Sequence, residues 1–179
     1  MSTIDLIVLS ILFKNPLNAY ELVRFVKERS VDRVLKVSEP AIFKSCLRLA
    51  KSGYLEGEVV HEPGVPDKVV YQINDRGRER MVELMTHFAH HFQPYFFNFN
   101  TVIWGIQNMT PNIGKELLEA LQAQLHMVKF GIIEHEREVA STLPFGSRQI
   151  VKQYRMTISC LVEWIDEVVV EFEALHANS

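Results

Sequence analysis

The sequence predicts a mainly α-helical chain with one small β element, and three stretches carry that prediction. First, Val37–Leu55 (V-S-E-P-A-I-F-K-S-C-L-R-L-A-K-S-G-Y-L) reads as a short helix with a basic, polar face. Second, the hydrophobic period changes from 3.6 to 2 directly after Gly53, which marks a β-hairpin. Third, two long helical patterns fill the chain from Thr110 onward, broken once by T-L-P-F-G-S.

The elements follow in order. Thr3 to Lys14 is apolar on most faces (Ile4, Leu6, Ile7, Leu9, Ile11, Leu12, Phe13), so this helix should be buried on most faces until Asn15-Pro16 stops it. Asn18 is a capping residue for a second helix, Ala19 to about Arg29, with Tyr20, Leu22, Val23 and Val26 expected inward. In the third helix Ser38 is the expected N-cap, and Pro40 fits a first turn whose N–H groups lack intrahelical partners. Gly53 supplies the positive φ that ends it. Ile42, Phe43, Cys46, Leu47, Leu49 and Ala50 are expected on its buried face, and Lys44, Ser45, Arg48 and Lys51 on its exposed one. Tyr54–His61 and Lys68–Ile73 alternate as strands around the turn chemistry of Pro63, Gly64 and Pro66. Asn74 or Asp75 then caps a helix to about Phe92.

Two helices and a turn before a basic third helix, with a hairpin after it, make a winged helix-turn-helix. Charge agrees. The 179-residue chain has 19 Lys+Arg against 22 Asp+Glu, a formal net charge of −3, so a nucleic-acid signal has to be local. Through Met85 there are 13 basic and 12 acidic residues, net +1; the remainder has 6 and 10, net −4. Arg24 to Lys51 alone holds eight basic and three acidic residues, net +5. A basic head on an acidic body is the asymmetry expected of a DNA-binding domain joined to a domain with another task. Ser38 and Lys51 are expected on phosphates, while Lys44, Ser45 and Arg48 are placed to reach base edges. Arg33 and Lys36 add backbone charge, and Lys68 anchors the wing.

These stretches also resemble a known family. N-A-Y-E-L (Asn18–Leu22), the Val37–Leu55 helix and K-V-V-Y-Q-I-N-D-R-G-R (Lys68–Arg78) are similar, in order and spacing, to the PadR family of winged-helix transcriptional regulators. The family pattern reads G-Y-E-L, V-S-x-G-T-L-Y-x-x-L and R-K-Y-Y-x-L-T-x-x-G-R. Here Ala19 replaces the Gly, Pro40-Ala41 the Gly-Thr, Phe43 the Tyr, and Asn74 the Thr; Lys68 stands about where the Arg-Lys pair would be. The resemblance implies a transcription factor acting on double-stranded DNA.

The second half begins at Pro94 with the run Tyr95, Phe96, Phe97, Phe99, then Val102, Ile103, Trp104 and Ile106, read as a short apolar helix. Thr110-Pro111 reads as N-cap and first position of a long helix to about Ser141, and Ser147 as the cap of a last helix to about Ala177. Two long helices joined by a tight loop form an antiparallel αα-hairpin with an apolar side left for a partner chain. The domains are expected at 1–92 (winged-helix DNA-binding) and 93–179 (helical dimerisation). Leu117, Leu121, Leu125, Ile158, Leu161, Ile165 and Val169 are the expected dimer contacts. In the AphA-like subgroup of the family, which this layout resembles, such helices form an antiparallel coiled-coil dimer interface. A two-fold dimer places two reading helices roughly 34–36 Å apart on one face of a palindrome, so dimerisation and specificity are linked.

Other constellations carry less. His87, His90 and His91 lie at i, i+3 and i+4, but without a nearby Cys or carboxylate partner they read as a polar helix end, and no metal or cofactor is expected. The aromatics Phe88, Phe92, Tyr95, Phe96, Phe97, Phe99 and Trp104 are a candidate pocket for a small aromatic or hydrophobic effector, though core packing is the commoner use. Cys46 and Cys160 are far apart and at apolar helical positions, with no disulfide or zinc spacing. No nucleophile–base–acid set, phosphate-binding Gly loop or catalytic carboxylate pair is present, so an enzyme is not expected. Neither a basic-flanked signal segment nor a bilayer-length apolar run appears, and a cytoplasmic location without membrane partners is expected. The expected function is a homodimeric regulator on a palindromic operator. The competing reading is a winged-helix protein-interaction module that has lost specific DNA binding.

Overall fold

The computed structural model describes residues 1–29, 31, 35–61, 64, 67–94, 96–139 and 143–177. They fall into two compact units, Met1–Gln93 and Pro94–Ser179.

In the first unit α1 (Thr3–Leu12), β1 (Leu17–Asn18), α2 (Ala19–Glu28), α3 (Glu39–Lys51), β2 (Leu55–Val60), β3 (Lys68–Ile73) and α4 (Asp75–His90) follow one another. The β2–β3 hairpin pairs Leu55 with Ile73 and Val60 with Lys68, and β1 adds to the other side of β3 through Leu17–Tyr71 and Asn18–Val70. The result is a three-stranded antiparallel sheet in the order β1-β3-β2, a winged-helix arrangement. Its core is built from Val8, Leu9 and Leu12 of α1, Leu22, Val23 and Val26 of α2, Ile42, Cys46 and Leu49 of α3, the strand residues Leu55, Tyr71 and Ile73, and Leu84 of α4.

The ends of these elements follow from local chemistry. Asn18 closes a capping box: the Glu21 N–H donates to Asn18 Oδ1 at 3.0 Å, and the Asn18 N–H donates to Glu21 Oε2 at 2.9 Å. Helix α3 ends in a Schellman arrangement, with the Tyr54 N–H on the Leu49 carbonyl and the Gly53 N–H on that of Ala50. Gly53 has φ +75° there. Asn74, rather than Asp75, caps α4, accepting from the Gly77 N–H at 2.9 Å. Gly77 has no room for a side chain, because a Cβ would stand 2.2 Å from the Tyr54 carbonyl oxygen.

The second unit contains α5 (Asn100–Gly105), a 3-10 turn at Ile106–Asn108, α6 (Pro111–Val139) and α7 (Phe145–His176). Helices α6 and α7 pack as an antiparallel pair around Leu118, Leu125, Ile158, Val162 and Ile165. Gly114 admits the Phe172 ring, which a Cβ would meet at 2.5 Å. Lys115–Glu173 at 2.6 Å and Arg155–Glu136 at 2.8 Å tie the two helices at their rims. Asp166 accepts from Gln122 and His126, and those hydrogen bonds, His126 first, hold its carboxyl below the usual carboxylate range.

Several expectations need correction. Tyr20 does not face inward: it is 75% exposed. Leu47 is also exposed, because α3 buries Ile42, Ser45, Cys46 and Leu49 instead. The last helix starts at Phe145 with Pro144 at the N-cap position, so Ser147 lies inside it. Cys160 is exposed, not apolar packing. Of the expected dimer contacts, Leu125, Ile158 and Ile165 are buried between α6 and α7 of the same chain, and Leu121, Leu161 and Val169 pack against that core. Leu117, 40% exposed, is the one of the seven left open. The physical reason is that a two-helix unit needs one apolar seam for itself before a second can face a partner.

Candidate nucleic-acid interface

Helix α3 presents Pro40, Lys44, Leu47 and Lys51, spaced i, i+4, i+7 and i+11, along one exposed stripe. Ser38 sits at the N-cap in extended backbone and is exposed. Its carbonyl accepts from the Ala41 and Ile42 N–H groups, while its hydroxyl makes no capping bond. Lys36 is exposed just before the helix, and Arg33 lies outside the described residues. Lys68 opens β3 at the outer end of the hairpin.

Ser45 and Arg48 do not stand where base-reading groups would. Ser45 is fully buried, and its hydroxyl donates to Asp5 Oδ1 at 2.5 Å. The Arg48 guanidinium reaches the same carboxylate, Nη2 to Oδ1 at 2.5 Å and Nε to Oδ2 at 3.4 Å, with Ser2 Oγ 3.4 Å away. Asp5 itself is 9% exposed on α1. A buried carboxylate has to be paired, and here α3 supplies both partners. Ser45 is therefore withdrawn from the DNA face, and Arg48 sits at its edge, bound back to α1. Asp5 was the residue that sequence reasoning missed. Its signal was available: it is the single charged residue in an otherwise apolar helix.

Other charges around α3 are also engaged. Lys27 pairs with Glu39 at the start of α3, and Arg24 with Glu28 along α2. Tyr20, at the second position of α2, meets Phe43 of α3 edge-to-face at 5.0 Å. These two rings, with Arg24, Asp67 and Lys68, line a depression of about 600 Å³ between the start of α2 and β3. At the base of the hairpin loop His61 Nδ1 lies 2.6 Å from Asp67 Oδ1. A second, more apolar groove of about 600 Å³ runs along α1 past Leu6, Ile7, Ile11, Val31, Leu35 and Phe88.

Burial pushes the Cys46 thiol up to about 11, and it raises Tyr71 above its ordinary value, with Cys46 as a second cause. His87 and His91 stack at 4.1 Å, and the His91 Nδ1 contacts the His87 carbonyl. Partial burial and then the His91 charge lower His87. Among the described residues no group of three His, Cys, Asp or Glu side chains is placed to hold a metal ion. The aromatic run is dispersed: Phe88 packs on the core of the first unit, Phe97 stacks on Phe99 at 5.0 Å in the second, and Phe92, Phe96 and Trp104 are exposed. Tyr95 lies outside the described residues. No helix among them is long and apolar enough to cross a membrane.

Comparison with known proteins converges on one group. The Bacillus subtilis PadR crystal structure in complex with operator DNA superposes with a TM-score of 0.80 at 13% identity, covering 96% of this chain and 99% of that one. The same protein in complex with p-coumaric acid gives the same figures. The Vibrio cholerae virulence activator AphA gives 0.71 at 15% identity, covering 97% and 99%. At these identities the likeness is one of fold. No curated relative matches the sequence. The family model for the transcriptional regulator PadR-like family matches residues 8–83, which run from α1 to the middle of α4 and contain the whole of α3 and the hairpin. Residues 8–83 of this chain thus match the family model of PadR-like transcriptional regulators, and the chain shares the fold of the PadR and AphA structures.

Proposed function

We propose that the chain is a sequence-specific DNA-binding transcriptional regulator that acts as a homodimer on a palindromic operator. The observation that carries this reading is the exposed stripe of α3, where Lys44 and Lys51 project from a short helix that is buried along its back and followed by a hairpin. A helix of this width fits a major groove, and its ammonium groups match the phosphates that border it. Ser38, Lys36 and Lys51 take backbone phosphates, Lys44 reaches base edges, and Lys68 engages the backbone from the hairpin. Similarity to an operator-bound PadR supports the same docking.

Self-association is supported by apolar side chains exposed on the helical pair: Leu117, Met127 and Phe130 on α6, and Met156 and Val170 on α7. These replace the buried Leu125, Ile158 and Ile165 as the proposed dimer contacts. A small aromatic or hydrophobic effector fits the same proposal, since PadR of B. subtilis is known in complex with p-coumaric acid.

The deciding experiment is fluorescence anisotropy of the full-length protein with duplexes it enriches from a random-sequence pool, beside a scrambled duplex, over a salt series. A specific complex with a log–log salt slope of about −0.9 per engaged phosphate is expected. One observation favours a different reading: with Arg48 tied to Asp5 and Ser45 buried, fewer polar groups face the DNA than the sequence suggested, as in a winged-helix module that pairs with proteins. Absence of binding at low salt would overturn the regulator reading and favour that alternative.

A further inference from the structure

With Ser45 buried and Arg48 held by Asp5, the centre of the exposed stripe of α3 belongs to a hydrocarbon. Leu47 is 64% exposed and stands between Lys44, three residues before it, and Lys51, four residues after it. Phe43 lies one turn earlier on the adjoining strip, and its ring continues to the exposed Tyr20 at 5.0 Å. An apolar band therefore runs from the start of α2 across α3, bordered by ammonium groups. A single exposed leucine is unremarkable on a protein surface. This one occupies the middle of the surface proposed to enter the major groove, with cations on both sides to set it against the bases.

The edges of base pairs in the major groove carry donors, acceptors and one apolar group, the C5-methyl of thymine. We infer that Leu47 is a specificity-determining residue that reads thymine through this methyl group. The isobutyl group has no hydrogen bond to offer, so it favours the methyl and leaves a cytosine or purine donor or acceptor at that place without a partner. Lys44 and Lys51 fix the depth and register of the helix on either side. This inference rests on the DNA-binding reading above and goes beyond it in naming the chemical group recognised.

The test starts from duplexes enriched by the full-length protein from a random-sequence pool. Each thymine of the bound sequence is replaced singly by deoxyuridine, which removes the methyl and keeps every hydrogen-bonding group. At one or two positions in each half-site the affinity should fall about fourfold, the fold-change of one buried methyl group. In Leu47→Ala, a change at a largely exposed side chain that should melt nearly as the parent does, that dependence should vanish, and in Leu47→Met it should persist. If no duplex is enriched, the DNA-binding reading falls and this one with it. If duplexes are enriched and every deoxyuridine substitution is neutral, DNA binding stands and thymine reading is overturned. A methyl dependence that survives unchanged in Leu47→Ala likewise overturns the assignment to Leu47.

Discussion

Asp5 accepts the Ser45 hydroxyl and the Arg48 guanidinium, so a single carboxylate on α1 fixes the rotation of the helix that faces outward with Lys44, Leu47 and Lys51. Removing it should be felt as lost stability. Asp5→Ala leaves the Ser45 hydroxyl buried without its acceptor, whereas Arg48, half-exposed, can turn to water. The expected loss is about 1–3 kcal/mol, read from urea unfolding of the full chain, and Asp5→Ala combined with Ser45→Ala should recover part of it. A neutral Asp5→Ala would mean that the pair does not anchor α3. The same site shows why residue roles were only partly legible. Polarity alone points Ser45 and Arg48 outward. Helical spacing already grouped Ser45 with Ile42, Cys46 and Leu49, and the lone acid in α1 required a partner. Leu47 and Tyr20 are the converse, apolar side chains at helical positions that the fold leaves exposed. The two cysteines can be told apart in the same terms. With its thiol pushed up to about 11, Cys46 is roughly one part in a thousand thiolate at pH 8, and it is buried as well. Iodoacetamide at pH 8 should label Cys160, which is exposed, and leave Cys46 intact until the chain is unfolded in denaturant. Labelling of native Cys46 would show that the α3 seam opens.

Among elements, those set by strong local signals were readable. The capping residue Asn18, the stop at Gly53 and the change of period into β2 and β3 all depend on nearest neighbours, and each stands where the sequence put it. The two-residue strand β1 was not readable, because its formation depends on β3 lying beside it. The division of the apolar residues of α6 and α7 between an internal and an external seam was likewise hidden, since both seams have helical spacing and only packing chooses between them. That division predicts two separable phenotypes. Ile165→Ala empties a fully buried site and should cost about 2–5 kcal/mol of stability in the second unit. Phe130→Asp changes an exposed side chain and should leave the melting of the chain's core intact while weakening self-association. Analytical ultracentrifugation with thermal denaturation separates the two. A monomeric Ile165→Ala of unchanged stability, or an unfolded Phe130→Asp, would reverse the assignment of the seams.

For the whole molecule, the net charge of −3 conceals a basic segment from Arg24 to Lys51 within an otherwise acidic chain, and that asymmetry is what a dimeric reader exploits. One α3 spans a few base pairs, too few to select a site among many competing sequences. Two copies held by the proposed dimer raise both affinity and specificity, because the second helix binds at the effective concentration set by the first. The consequence is geometric. In a two-fold dimer the half-sites must lie on the same face of the duplex, roughly 34–36 Å apart or a multiple of that. Inserting five base pairs between the halves of an enriched palindrome turns one half-site to the far side of the helix. Affinity should then fall on the order of a hundredfold, to that of an isolated half-site, because both copies can no longer engage together. Anisotropy on the parent, the five-base-pair insertion and a single half-site reads this directly. Equal affinity for the parent and the insertion would mean that each copy binds independently, and the reader would then be a single winged helix and not a dimer of fixed span.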